Sequence, residues 1–362
     1  MTTSLDGALA RLGRDVSSRD GMLDLLRTWE SAAVASGEPL RELVTGPIAD
    51  ALFAPGEPVT VELSDGTRLA IPYRGKIARD IALRDRSRPD HAFEPQTTRL
   101  LLRWARGART ALVGGAYAGD HVCPLARRMV GGRVIAFEPN DEQRGFLQRN
   151  LSENGLTDVV VRAEALWDQA GVRLAFEGED AYARVVETSG AGLEATTIDA
   201  VLSELGVDSL DVILLDIEGS ELRALKGASG QLELPPDRAP NIIFELHALY
   251  SDWSNGLGGT EIVQELAGRG YSVFALRDFQ TNIDTAGCAL ELVELEGCYL
   301  DGPPHGFNMV ATKRPEQFSE EGYRVLRGVS PKLLLHRDPR LHAPTEWLSG
   351  RPRLASSSQT PA

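Results

Sequence analysis

Cysteine is scarce in this sequence. Its three cysteines, Cys123, Cys288 and Cys298, are odd in number and lack zinc-ligand spacing, which leaves neither a disulfide framework nor a structural metal to expect. They read as buried thiols. Positive charge is in deficit too: 38 Lys and Arg stand against 52 Asp and Glu, a formal net charge of -14. That balance argues against nucleic acid or an anionic membrane as the main partner, although a local basic patch could survive within it. No apolar run is long enough to span a bilayer, and the opening Met1-Thr2-Thr3-Ser4-Leu5-Asp6 has no basic segment leading into an apolar one. A soluble cytoplasmic protein is the expectation. No internal repeat is present, and 362 residues suffice for one large domain with an appendage or for two modest domains.

The informative stretch runs from Arg109 to Asn140. An apolar run, Thr110-Ala111-Leu112-Val113, passes into Gly114-Gly115-Ala116-Tyr117-Ala118-Gly119-Asp120, a helical pattern follows, and Arg133-Val134-Ile135-Ala136-Phe137 ends in Glu138-Pro139-Asn140. This is strand, glycine-rich turn, helix, strand, acid. Glycines accept φ > 0 and let backbone approach a ligand, while an acid ending the second strand can accept hydrogen bonds from both ribose hydroxyls. A nucleoside-containing cofactor is implied. After Gly115 the next glycine is Gly119, so the third glycine of a dinucleotide fingerprint is missing and S-adenosylmethionine, which has no pyrophosphate to cradle, is the stronger option. Pro124 suits the first turn of a helix that should start just after Gly119.

Before this stretch, Leu5 to about Leu52 is helical, with Leu23, Leu25, Leu26 and Trp29 as an apolar group and Gly37-Glu38-Pro39 as a break. Residues 59–63 and 68–71 alternate on either side of an Asp65-Gly66 turn and predict a β-hairpin. The charged segment from Arg79 to Asp90 reads as a solvated linker, or as arginines that close over an anionic substrate. Phe93 to Trp104 is helical again. After Glu138, Asn140 caps a helix carrying Phe146, Leu147 and Leu151, and residues 159–161 form a strand that leads to Glu164-Ala165. Residues 172–176 and 183–186 suggest extra edge strands. A helix over 197–205 precedes Val212-Ile213-Leu214-Leu215, which ends in Asp216-Ile217-Glu218-Gly219-Ser220-Glu221, and residues 241–244 end in Glu245-Leu246-His247. Residues 289–295 and 307–311 suit an antiparallel pair, and the Ser- and Pro-rich tail beyond Arg351 reads as disordered.

Five apolar strands therefore stop at Gly114, Glu138, Glu164, Asp216 and Glu245. In open α/β sheets ligands bind outside the carboxyl ends of the strands where strand order reverses, so these residues should converge on one crevice.

The segments Asp216-Ile217-Glu218-Gly219-Ser220-Glu221-Leu222, Leu225-Lys226-Gly227-Ala228 and Glu245-Leu246-His247 resemble the FkbM-type family of methyltransferases over roughly residues 93–313. The resemblance implies the class I, Rossmann-like α/β fold: a seven-stranded, mostly parallel sheet with helices on both faces. An N-terminal helical and β-hairpin appendage would precede it. It divides the chain into an accessory region over 1–90, a methyltransferase domain over 91–315 and a C-terminal extension over 316–362. It further implies S-adenosylmethionine-dependent O-methylation of a small-molecule hydroxyl on a sugar or natural product. Gly114, Gly115, Ala116, Tyr117 and Gly119 would meet the cofactor; Glu138, with Pro139 and Asn140, would bind the ribose; Glu164 and Ala165 would lie by the adenine, and Asp216 near the methionine end.

Where family members usually carry Asp-x-Gly-Ala-Asn, this chain has Gly114-Gly115-Ala116-Tyr117, losing an acid and an amide; Asp120 or Asp216 could take over the ammonium contact. A catalytically inactive binding or scaffold protein on the same fold and a dinucleotide-dependent oxidoreductase are the alternatives.

For catalysis His247 is the candidate base, with Glu245 and Asp216 beside it; alternatively Asp216, Glu218, Glu245 and His247 could hold a divalent ion. The acceptor walls are placed in residues 248–259, with Tyr250 and Trp253, and in residues 277–287, where Arg277 could meet an anionic group. Oligomeric state is not encoded in any recognisable pattern.

Overall fold

The computed structural model describes residues 4–34, 40–177, 184–278, 287–299, 306–331 and 344–345. The break at Gly37-Glu38-Pro39 and the tail beyond Arg351 lie outside them. The expected hairpin is β1 (Pro58–Glu62) and β2 (Arg68–Pro72), paired antiparallel. Asp65 accepts the Thr67 N–H at 2.8 Å, and Gly66 takes φ 81°, which the turn requires.

The strands then follow as β3 (Thr110–Gly114), β4 (Arg133–Phe137), β5 (Val159–Arg162), β6 (Ala165–Leu166), β7 (Arg173–Glu177), β8 (Arg184–Thr188) and β9 (Leu193–Thr196). They continue as β10 (Val212–Leu215), β11 (Asn241–His247), β12 (Ser272–Leu276), β13 (Leu290–Glu294), β14 (Gly306–Thr312) and β15 (Tyr323–Leu326).

The main sheet runs β15-β13-β12-β14-β11-β10-β3-β4-β5. From β5 to β11 neighbours are parallel, and β14 is antiparallel to both β11 and β12. The α/β fold with helices on both faces is thus as the sequence implies, with nine strands among the described residues instead of seven because β13 and β15 extend the far edge. Residues 289–295 and 307–311 do not pair with each other: β12 lies between them and pairs antiparallel with both. The segments at 172–176 and 183–186 are not edge strands of this sheet either; with β6 and β9 they form a separate four-stranded sheet, β6-β9-β7-β8.

Strand alternation divides the core. Leu112, Ile135, Ile213, Leu215, Ile242 and Phe244 face one buried cluster, packed under helices such as Ile198–Leu205 and Glu261–Gly268. Ala111, Val113, Val134, Ala136, Val212 and Leu214 face the other, shared with Leu23, Leu26, Leu52, Val59, Ile71, Ile81, Leu100 and Leu147. The N-terminal helices and hairpin are therefore part of one layer of the sheet's covering. Leu25 and Trp29 depart from the expected apolar group: they are exposed while Leu23 and Leu26 are buried.

The segment from Arg79 to Asp90 is a solvated loop only in its second half, from Arg84, where its residues are half-buried or exposed. Helix Lys76–Ala82 includes its start, Ile81 and Leu83 enter the core, and Asp80 is fully buried against Arg41 at 3.1 Å. Apolar residues at helical spacing beneath the charges account for this: Ile77, Ala78 and Ile81.

Candidate functional site

Strand order reverses between β3 and β10, and the turn after β3 sits against the end of β10. Gly115 has φ 77°, and a Cβ there would stand 1.7 Å from the Asp216 carbonyl oxygen. Gly119 has φ 91°, with Leu147 Cδ1 2.8 Å from where its Cβ would be. Both glycines are thus required by close approach within the protein. Gly115 and Ala116 each donate their N–H to the Phe137 carbonyl, at 3.0 and 2.9 Å, so those two amides are occupied. The helix after the turn spans Val122–Arg128 and begins two residues later than the glycine pattern suggests.

Tyr117 takes φ 46° and donates its N–H to Glu138 Oε2 at 2.8 Å, while its hydroxyl donates to the Pro72 carbonyl at 3.1 Å. Glu138 Oε1 accepts the Asn140 N–H at 2.9 Å. Burial raises the Glu138 carboxyl above its usual range and the two N–H groups oppose the rise. Each oxygen accepts one backbone donor and keeps lone-pair capacity for a hydroxyl.

A cavity of about 680 Å³ is lined by Glu138, Pro139, Asn140, Glu164 and Ala165 at one end and by Asp216, Glu218, Glu245 and His247 at the other, with Gly115 and Tyr117 between. The end at Glu138 and Glu164 is walled by Leu166, Leu174, Val185 and Leu193 of the small sheet, residues without a role in the sequence. Their strand alternation was visible, but not the sheet they would join. Glu164 is held by Arg162, whose Nη1 also donates to Glu204 at 2.7 Å. Burial tends to raise the Glu164 carboxyl, but Arg162 wins and lowers it.

At the other end, oxygens of Asp216, Glu218 and Glu245 lie within 4.8 Å of one another. Glu245 does not end its strand: β11 continues through it to His247, with Glu245 opposite Asn308. Gly306 permits this packing, since a Cβ there would meet Glu245 Oε1 at 2.4 Å and His247 Cδ2 at 2.5 Å. Burial and then the neighbouring carboxylates push Asp216 and Glu245 well above the ordinary range. Glu221, buried and accepting the Ile217 N–H at 2.9 Å, is pushed up to about 7 by burial.

His247 Nδ1 accepts the Leu249 N–H at 3.0 Å. That bond assigns the neutral ring's proton to Nε2, making this nitrogen a donor.

Glu94, Phe93, Ile77, Lys76 and Arg74 also line the cavity, and no motif in the sequence marked them. Three expected acceptor contacts change. Arg277 is fully buried, with Nη1 2.6 Å from Glu291, and cannot reach an acceptor. Trp253 packs on Phe307 at 5.7 Å between ring centroids, and Tyr250 lies 5.6 Å from the His247 ring; neither lines the cavity. Residues 279–286 lie outside the described residues. Asp120 is half-buried at the turn and does not line the cavity. Among the described residues no helix is long and apolar enough to cross a membrane.

Residues 114–273 match the methyltransferase FkbM domain. No curated protein matches the chain. Solved structures similar to it include an O-methyltransferase from Bacillus cereus in complex with SAH, at 18% identity over 62% of this chain and 84% of that one, with a TM-score of 0.35. The precorrin-6y C5,15-methyltransferase from Geobacter metallireducens is another, at 13% identity over 60% and 87%, with a TM-score of 0.33. At such scores the sheet order itself carries the fold assignment. Residues 114–273 are thus similar to the methyltransferase FkbM domain, and the sheet order is that of a Rossmann-like α/β fold.

Proposed function

We propose that this chain, whose residues 114–273 match the methyltransferase FkbM domain, binds S-adenosylmethionine across the ends of β4, β3 and β10 and methylates a hydroxyl of a small molecule, a sugar or natural product. One observation carries the reading: a single cavity joins Glu138 to Asp216, Glu245 and His247 across the point where strand order reverses. A cytoplasmic setting goes with it, with neither nucleic acid nor membrane in the reaction. Glu138 accepts the ribose hydroxyls beside Pro139 and Asn140. Glu164 and Ala165, with the apolar wall of the small sheet, flank the adenine. Gly114, Gly115, Ala116, Tyr117 and Gly119 shape the passage between, and Asp216 faces the methionine end.

The cofactor supplies a sulfonium-bound methyl group: the hydroxyl oxygen bonds to that carbon as the S–CH₃ bond breaks, the electron pair stays on sulfur, and the hydroxyl proton passes to the protein. Glu245 receives that proton. Burial and the neighbouring Asp216 and Glu218 make its carboxyl hold a proton strongly, and the positive sulfonium of the bound cofactor would favour the ionised form it needs beforehand. His247 donates from Nε2 to the acceptor oxygen and orients it. Glu245→Gln should lower kcat by about a hundredfold to ten-thousandfold with cofactor affinity little changed. The measurement is transfer of labelled methyl from S-adenosylmethionine to a panel of hydroxylated sugars and natural products. Cofactor binding without transfer to any hydroxylated compound would favour the inactive alternative.

The proximity of Asp216, Glu218 and Glu245 favours a second reading, in which the three carboxylates hold a divalent ion that fixes the acceptor oxygen. Chelator would then stop turnover and Mg²⁺ or Mn²⁺ would restore it, whereas the Glu245 base predicts resistance to chelator.

A further inference from the structure

We propose that Glu94, outside the matched domain, anchors the ammonium group of the bound cofactor; this rests on the cofactor reading above. Sheet order gives the direction. With the ribose at the end of β4 and the adenine toward β5, the amino-acid end must run back across β3 toward β10, where Glu94 lines the cavity with Gly115 and Asp216.

Glu94 is built for a ligand more than for its helix. It precedes Pro95 and the helix Pro95–Trp104 in the left-handed region, φ 39° and ψ 57°, a conformation costly for a side chain of this kind. Its side chain makes no capping bond. Asp278 caps instead, accepting the N–H groups of Gln96 and Thr97 at 3.0 and 2.8 Å. Asn308 Nδ2 donates to Glu94 Oε2 at 2.9 Å and also to Thr97 Oγ1 at 2.9 Å, and His121 Nε2 lies 3.7 Å from the same Oε2. Both contacts fall on Oε2, leaving Oε1 for the cavity.

The alternatives are weaker. Gly114, Gly115 and Ala116 carry no acid, and Asp120 does not line the cavity. Asp216 does, but burial and the adjacent Glu94 charge favour its neutral form. His121, raised to about 9 by Asp120 and Glu94 against its burial, is a cation 3.7 Å from Glu94 Oε2.

The test is calorimetric titration of the full chain and of Glu94→Gln with S-adenosylmethionine, S-adenosylhomocysteine and 5′-methylthioadenosine, which keeps the adenosine but lacks the amino acid. The expected result is a loss of about tenfold to a hundredfold for the first two ligands and none for the third. Unchanged affinity for S-adenosylmethionine in Glu94→Gln overturns the anchor while the cofactor reading stands. Equal losses for all three ligands also overturn it, assigning Glu94 to the framework. If the unaltered chain binds none of the three, the cofactor reading fails and the anchor fails with it.

Discussion

Gly115 serves the site by keeping out of the way of its own sheet. Its missing side chain lets the turn lie against the Asp216 carbonyl, and its φ of 77° would strain any replacement. Gly131 offers a control: its φ is 75°, but an added Cβ would meet nothing within 4 Å. Gly131→Ala should therefore cost only the strain, about 1 kcal/mol, and leave cofactor affinity alone. Gly115→Ala must also push apart β3 and β10, so it should lower stability by about 1–3 kcal/mol more and weaken cofactor binding at least tenfold. Thermal melting and calorimetric titration of the two variants would decide, and equal behaviour would refute the packing argument. At this scale the sequence was legible where a residue's role is intrinsic: glycine at positive φ, proline in a first turn, an acid at a strand end. It was illegible where the role depends on a distant partner. Arg277 has its carboxylate in Glu291, Asp80 lies buried beneath a charged run, and the His247 proton is set by the Leu249 amide.

Among elements, helix Asp141–Glu153 holds the hairpin to the sheet by imitating a strand. Asn150 accepts the Ala70 N–H at 2.9 Å and donates to the Ala70 and Ala118 carbonyls at 3.0 and 2.7 Å. Asn154 repeats the exchange at Arg68, accepting its N–H at 2.8 Å and donating to its carbonyl at 2.6 Å. The open edge of β2 is thereby closed by side-chain amides. Because Asn150 also reaches Ala118, the hairpin and the glycine turn share one buried residue. Asn150→Leu should leave buried backbone groups of Ala70 and Ala118 without partners, destabilising the protein by about 2–5 kcal/mol. Denaturant unfolding measures this, and a change under 1 kcal/mol would show the amide to be dispensable. Hydrophobic periodicity foretold both the hairpin and the helix, each from its own residues. Their attachment rests on two asparagines that in the sequence look like ordinary helix-surface residues.

Across the whole molecule, acids outnumber bases and several are held where water is scarce. Asp278 is pushed up to about 6 and Glu221 to about 7, both chiefly by burial, and Asp216 and Glu245 rise further. A carboxyl whose pKa is raised on folding binds more protons in the native state than in the unfolded chain. Its contribution is complete below the ordinary carboxyl range and is lost as pH rises through the raised value. His121, raised to about 9, acts in the same direction at higher pH, whereas Asp85, lowered to about 2 mainly by Ser87, matters only under acid conditions. Stability should therefore decline from about pH 5 to pH 9, at up to about 1.4 kcal/mol per unit for each group displaced from its proton. The cofactor reading adds a sharper consequence. S-adenosylmethionine carries a positive sulfonium and S-adenosylhomocysteine an uncharged sulfur, so only the first neutralises Asp216 and Glu245 as they ionise. The difference between the melting temperatures of the two complexes should thus widen as pH is raised from about 5.5 to 8.5. Melting curves at saturating concentrations of each ligand give the answer. A gap that stays constant across that range would mean that these carboxylates do not face the sulfonium, and would move the methyl-transfer end of the cavity away from β10 and β11.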